Sequence, residues 1–146
     1  MKTKSLFIAG FALCAAVIAS AAEKVVAGPK GGRLLDSAPQ KAEFFVNKDG
    51  KAEVTFYDAA LKPAALGSQV VAVTAEPKSG RKTVELEKTA NGFVSKEALP
   101  KATEPYRVVV QVREKEGAAP KNFRIDLNLA QCGTCEYKEY ACTCAD

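Results

Sequence analysis

Three stretches of strict alternation constrain this chain more than any other feature. Ala52, Val54 and Phe56 alternate with Lys51, Glu53, Thr55 and Tyr57. Tyr106, Val108, Val110 and Val112 alternate with Arg107, Val109, Gln111 and Arg113, and Phe123, Ile125, Leu127 and Leu129 with Arg124, Asp126 and Asn128. Successive side chains of an extended backbone point to opposite faces, so each stretch predicts a strand with one buried face. Asp49-Gly50 joins residues 42–46 to the strand at 51–57 as a hairpin, and residues 117–120 join the last two long strands. Residues 69–75 are apolar and β-branched on both faces, which predicts a central strand. A further strand is expected at 83–87, followed by the turn signal Asn91-Gly92, and a seventh at 33–35. Residues 58–66 are alanine-rich, but Pro63 interrupts any helix there. The expectation is all-β: a small antiparallel β-sandwich with immunoglobulin-like or Greek-key connections, six to seven strands, over residues 42–130.

The segments outside that range have a different character. Lys2 and Lys4 precede an uncharged apolar run at 6–19, and Ala19, Ser20, Ala21 and Ala22 offer small residues for cleavage. This is the pattern of a signal peptide, expected at 1–22. The run is shorter than the roughly 20 apolar residues a bilayer span needs, so no membrane span is expected after cleavage. Cys14 falls inside it, and Leu13 just before it fits a lipoprotein site poorly. A periplasmic or secreted location follows. Removing 22 of 146 residues leaves 124, and losing Lys2 and Lys4 lowers the net charge from +4 to +2. That balance gives no basic footprint for nucleic acid. Residues 23–41 read as a flexible Gly/Pro-containing lead-in. Gly28-Pro-Lys-Gly-Gly32 lacks P-loop spacing, and no helix is expected after it. Ser79-Gly-Arg-Lys82 matches S-x-x-K only at a turn, without its companion motifs.

Chemistry is restricted by what is missing. The chain has no histidine, and its single methionine is Met1. Histidine-based triads, dyads and metal sites are excluded, as is a thioether copper site. Soft-metal or redox chemistry then rests on Cys132, Cys135, Cys142 and Cys144, which form C-x2-C-x6-C-x-C in a tail at 131–146. Three readings stand. Four thiolates suit zinc or monovalent copper, with Gly133 easing the C-x2-C turn; the tight C-x-C half suits copper at least as well. Export instead favours disulfides. A Cys132–Cys142 link would close a loop of about eleven residues, worth roughly 3 kcal/mol in loop-closure entropy. The sequence does not choose among the pairings. A thiol oxidoreductase would use Cys132 and Cys135, but that chemistry belongs at the start of a helix in a βαβ unit, and none is expected here. Tyr137 and Tyr140, inside the cysteine loop, are read as packing the tail on the sandwich, with shielding of bound sulfurs the alternative.

The stretch from Gly28 through Gly32-Arg-Leu-Leu35, then Ala42 to Val46 and Val54 to Asp58, resembles a small bacterial periplasmic β-sandwich domain found alone or beside adaptor subunits of metal-efflux systems. The ending Tyr140-Ala-Cys-Thr-Cys144 after a C-x-x-C resembles tails on some secreted members. The resemblance implies an envelope location, a sandwich fold and an efflux or other envelope protein as partner. Metal-handling members often carry histidines near the glycine-rich start and the chain end; Pro39-Gln40-Lys41 has none, which leaves the tail as the candidate site. The reading is an exported, non-catalytic protein that binds or delivers zinc or copper through Cys132, Cys135, Cys142 and Cys144. The alternative is a structural or protein-interaction module whose tail carries two disulfides.

Overall fold

The computed structural model describes residues 24–144, so the expected signal peptide at 1–22, with Cys14, lies outside the described residues. Among the described residues no helix is long and apolar enough to cross a membrane. Among the described residues nine strands form: β1 (Arg33–Leu35), β2 (Lys41–Val46), β3 (Ala52–Tyr57), β4 (Val70–Glu76), β5 (Lys82–Val84), β6 (Leu86–Lys88), β7 (Gly92–Ser95), β8 (Tyr106–Arg113) and β9 (Lys121–Leu127). They make two antiparallel sheets, ordered β1-β2-β3-β7-β6 and β5-β4-β8-β9. The alternating apolar residues meet between the sheets. Phe44, Val54 and Phe56 from one and Val73, Val108, Val110 and Ile125 from the other are at most 1% exposed.

The strand order is that of an immunoglobulin-type sandwich. Strands β2, β3, β7 and β6 take the places of A, B, E and D, and β4, β8 and β9 those of C, F and G. Tyr106 opens β8, and its hydroxyl donates to the Pro100 carbonyl at 2.8 Å, the tyrosine corner of such domains. Val108, two residues on, is fully buried where many relatives of that fold place a disulfide cysteine. An apolar core does that work here.

Two strand expectations are corrected. Residues 83–87 are not one strand but parts of two. β5 pairs with β4 (Val73↔Val84), whereas β6 pairs with β7 (Leu86↔Ser95), so the chain passes from one sheet to the other at Glu85. Val84 and Leu86 both pack on the core, and the period of two therefore runs unbroken through the crossing. The last strand ends at Leu127 rather than Leu129, which is 46% exposed. Asn128 turns the chain there, its side-chain oxygen accepting the Ala130 N–H at 3.0 Å.

Gly28 to Gly32, expected as a flexible lead-in, is instead a tight turn closed by Leu34 N–H to Val26 C=O (2.7 Å) and Gly28 N–H to Gly32 C=O (2.8 Å). It covers Glu43, whose side chain lies on the outer face of its sheet yet is fully buried. The Glu43 carboxylate accepts the N–H groups of Lys30 (3.0 Å) and Gly32 (2.8 Å) and the hydroxyl of Tyr57 (2.7 Å). A charged group can be buried when its lone pairs are met this way. The glycines are required by proximity: a Cβ on Gly28 would strike the Glu43 carboxyl, and one on Gly32 the Phe44 carbonyl.

Candidate metal centre

Beyond β9 the backbone doubles back on itself. Cys132 N–H donates to Tyr137 C=O and Glu139 N–H to Ala130 C=O, each at 3.0 Å, with a bridge between Gln131 and Lys138. This narrow hairpin carries Cys132-Gly-Thr-Cys135 at its tip. Nothing lies within 4 Å of the place a Gly133 Cβ would take, so the tip is open. The Gln131 amide steadies it by donating to the carbonyls of Cys135 (3.2 Å) and Tyr137 (3.0 Å). A 3-10 turn, Glu139–Ala141, then reverses the chain, and Cys142 N–H closes it on Glu139 C=O at 3.2 Å. Cys142 is thereby returned to the hairpin tip.

All four sulfurs lie within 4.8 Å of one another. Cys132 Sγ is 2.9 Å from Cys142 Sγ, and Cys135 Sγ is 3.5 Å from it. Four sulfurs held tetrahedrally at about 2.3 Å from a zinc ion would stand roughly 3.8 Å apart. The cluster is thus already near the dimensions of a single-ion site. The Thr134 hydroxyl is 3.3 Å from Cys132 Sγ, and Cys144 N–H points at Cys142 Sγ at 3.4 Å. Among the described residues no cysteine pair is at the roughly 2.05 Å of a disulfide bond; all four thiols are free.

Crowding divides the acidity of these thiols unequally. Hydrogen bonding from the Cys142 thiol, aided by Thr134, lowers Cys132 to about 6. Cys142, as the donor to Cys132, is pushed up to about 12. Cys135 is lowered by the Tyr137 backbone N–H and by Cys142 but raised more by burial and by the Cys132 and Cys144 thiols, so its net shift is upward. One sulfur ionises more readily than its neighbours, and its charge disfavours a second thiolate beside it.

The tail is not the separable appendage that its position after the last core strand suggests. Cys132 and Cys142 are buried, Tyr140 is 4% exposed and Ala141 fully buried. Tyr140 meets Phe44 edge-on, with ring centres 6.0 Å apart at 78°. Its hydroxyl accepts the Val46 N–H at 3.1 Å. That amide lies past the end of β1, whose pairing with β2 stops at Arg33↔Phe44. The packing role expected for Tyr137 and Tyr140 holds: Tyr137 also packs on the core, its ring lying over Gly31. Cys132 and Cys135 sit on a hairpin turn, not at the start of a helix, so the geometry lacks the helix dipole that activates a C-x-x-C thiol.

The chain is thus an immunoglobulin-type β-sandwich with a packed four-cysteine cluster. Comparison with protein-family models, with curated proteins and with solved structures returns no match.

Proposed function

We propose that this protein binds one soft metal ion, zinc or monovalent copper, through Cys132, Cys135, Cys142 and Cys144, and that it serves as an exported, non-catalytic metal-binding or delivery protein. The observation that carries the reading is the convergence of four free thiols within 4.8 Å, built by a hairpin and a 3-10 turn that are themselves anchored in the core. Thiolates are the donors such ions prefer, and no histidine competes for the role. Two features support export: the charged start with its apolar run at 1–22, and the resemblance to periplasmic sandwich domains. The resemblance also makes an efflux or other envelope protein the natural partner.

The 2.9 Å approach of Cys132 and Cys142 favours a second reading, in which oxidation joins that pair and the tail is a disulfide-held structural element. One experiment separates the two. The protein is purified from the cell envelope without reductant or chelator, its free thiols are counted, and its zinc and copper are measured. One ion per chain, with four thiols recovered after the ion is stripped, supports the metal site. Disulfides without metal overturn it.

A further inference from the structure

The four sulfurs are held with very different firmness. Cys132 and Cys142 are buried, Cys135 is half-buried and Cys144 is exposed. Cys132 is pinned by its N–H bond to Tyr137, and Cys142 follows directly on buried Ala141. Among the described residues Cys144 has no such anchor: its hydrogen bond is to the Cys142 sulfur, inside the cluster itself. Structural zinc sites are closed by four protein ligands, whereas sites that act on a substrate keep one coordination position open to it; here the exposed Cys144 position is the one an incoming donor can reach.

Resting on the metal-binding reading above, we propose that the cluster is a transfer site. Cys132, Cys135 and Cys142 hold the ion, and Cys144 is the displaceable ligand through which a cysteine-bearing carrier or acceptor takes it or gives it up. In the exchange step an incoming thiolate sulfur bonds the ion on its exposed side while the Cys144–metal bond breaks. Cys144 leaves as a thiolate and takes a proton from water. No electron moves, and the ion keeps its oxidation state. The exposed ligand is the one whose release costs least in packing, because water already reaches it.

The test uses the full mature chain loaded with Zn²⁺. Iodoacetamide labelling, mapped by mass spectrometry, should modify Cys144 first, with the zinc still bound. Cys144→Ser should retain one zinc per chain, with affinity within about tenfold of the wild type, and should pass it faster to a small dithiol competitor. Cys142→Ser should lose affinity by more than about a hundredfold. Equal protection of all four cysteines in the loaded protein, or a Cys144→Ser loss as large as that of Cys142→Ser, overturns the transfer site while leaving metal binding intact. A wild-type chain that takes up no zinc overturns the metal reading and the transfer site with it. Should Cys142→Ser fail to fold, the labelling order on the wild type decides by itself.

Discussion

Replacing Tyr140 probes whether the cysteine segment belongs to the sandwich core. The ring is almost wholly buried, stands edge-on to Phe44, and accepts a backbone hydrogen bond from Val46. Tyr140→Phe removes only the hydroxyl. It leaves the Val46 amide without its acceptor, at a cost of about 1 kcal/mol. Tyr140→Ala also empties the space the ring fills, and aromatic-to-alanine changes in cores cost about 3–5 kcal/mol. Against the roughly 5–15 kcal/mol that holds a domain of this size, the first change is tolerable and the second approaches the whole margin. Urea unfolding followed by β-sheet circular dichroism should show this ladder in the midpoint with little change in slope. Tyr140→Ala should also weaken zinc binding, because Cys142 lies two residues beyond the lost anchor. An alanine variant less than about 1 kcal/mol below the wild type would refute the packing argument, because a loosely attached tail would predict that value.

Other expectations follow from the same geometry. Tyr106→Phe should lower stability by about 1 kcal/mol, through loss of the bond to Pro100, and leave zinc affinity unchanged in a direct titration. Burial raises the Glu53 carboxyl, but the bonds it accepts from Lys30 and Asn47 outweigh this and hold it below its usual 4.5. A carboxyl so lowered in the folded state contributes stability above the unfolded value and loses it as pH falls through the folded one. Glu53→Gln should therefore lower stability at neutral pH, modestly because Lys30 is partly exposed, and leave it nearly unchanged below the folded value, so that the acid side of the curve flattens when urea midpoints are compared across pH. Stripping the metal with a chelator should lower the melting temperature of the whole sandwich. Free zinc at a hundred times its dissociation constant should restore about 2.7 kcal/mol.

Much of this fold is legible in the residues because burial on one face writes itself as alternation. The segments now called β3, β8 and β9 carry it, β2 is marked by the Asp49-Gly50 turn and β4 by an apolar β-branched run, and the antiparallel sandwich follows. Alternation is silent about which sheet a strand joins. Val84 and Leu86 face the same core from different sheets, so the crossing at Glu85 leaves no mark. β7 was hidden because Gly92 opens it, and Asn91-Gly92 reads as a turn. Glu43 falls on the polar side of its strand's alternation, and only the folded backbone reveals that Gly28 to Gly32 covers it. At the site, spacing identified the four cysteines as a set. Their depth was not legible, because it comes from Tyr140 reaching back to β2, more than ninety positions earlier for its bond to Val46, with Ala141 buried beside it. The same long-range packing makes Cys144 the odd member of the set.

X-ray absorption at the metal edge tests the proposed centre most directly, because it counts the atoms bound to the ion. The protein, loaded with one equivalent of zinc, should give four sulfur neighbours at about 2.3 Å and no shell of nitrogen or oxygen. Cys144→Ser should give three sulfurs and one lighter atom. A wild-type shell dominated by oxygen or nitrogen, or fewer than four sulfurs on the ion, would contradict a four-thiolate site at the end of this sandwich.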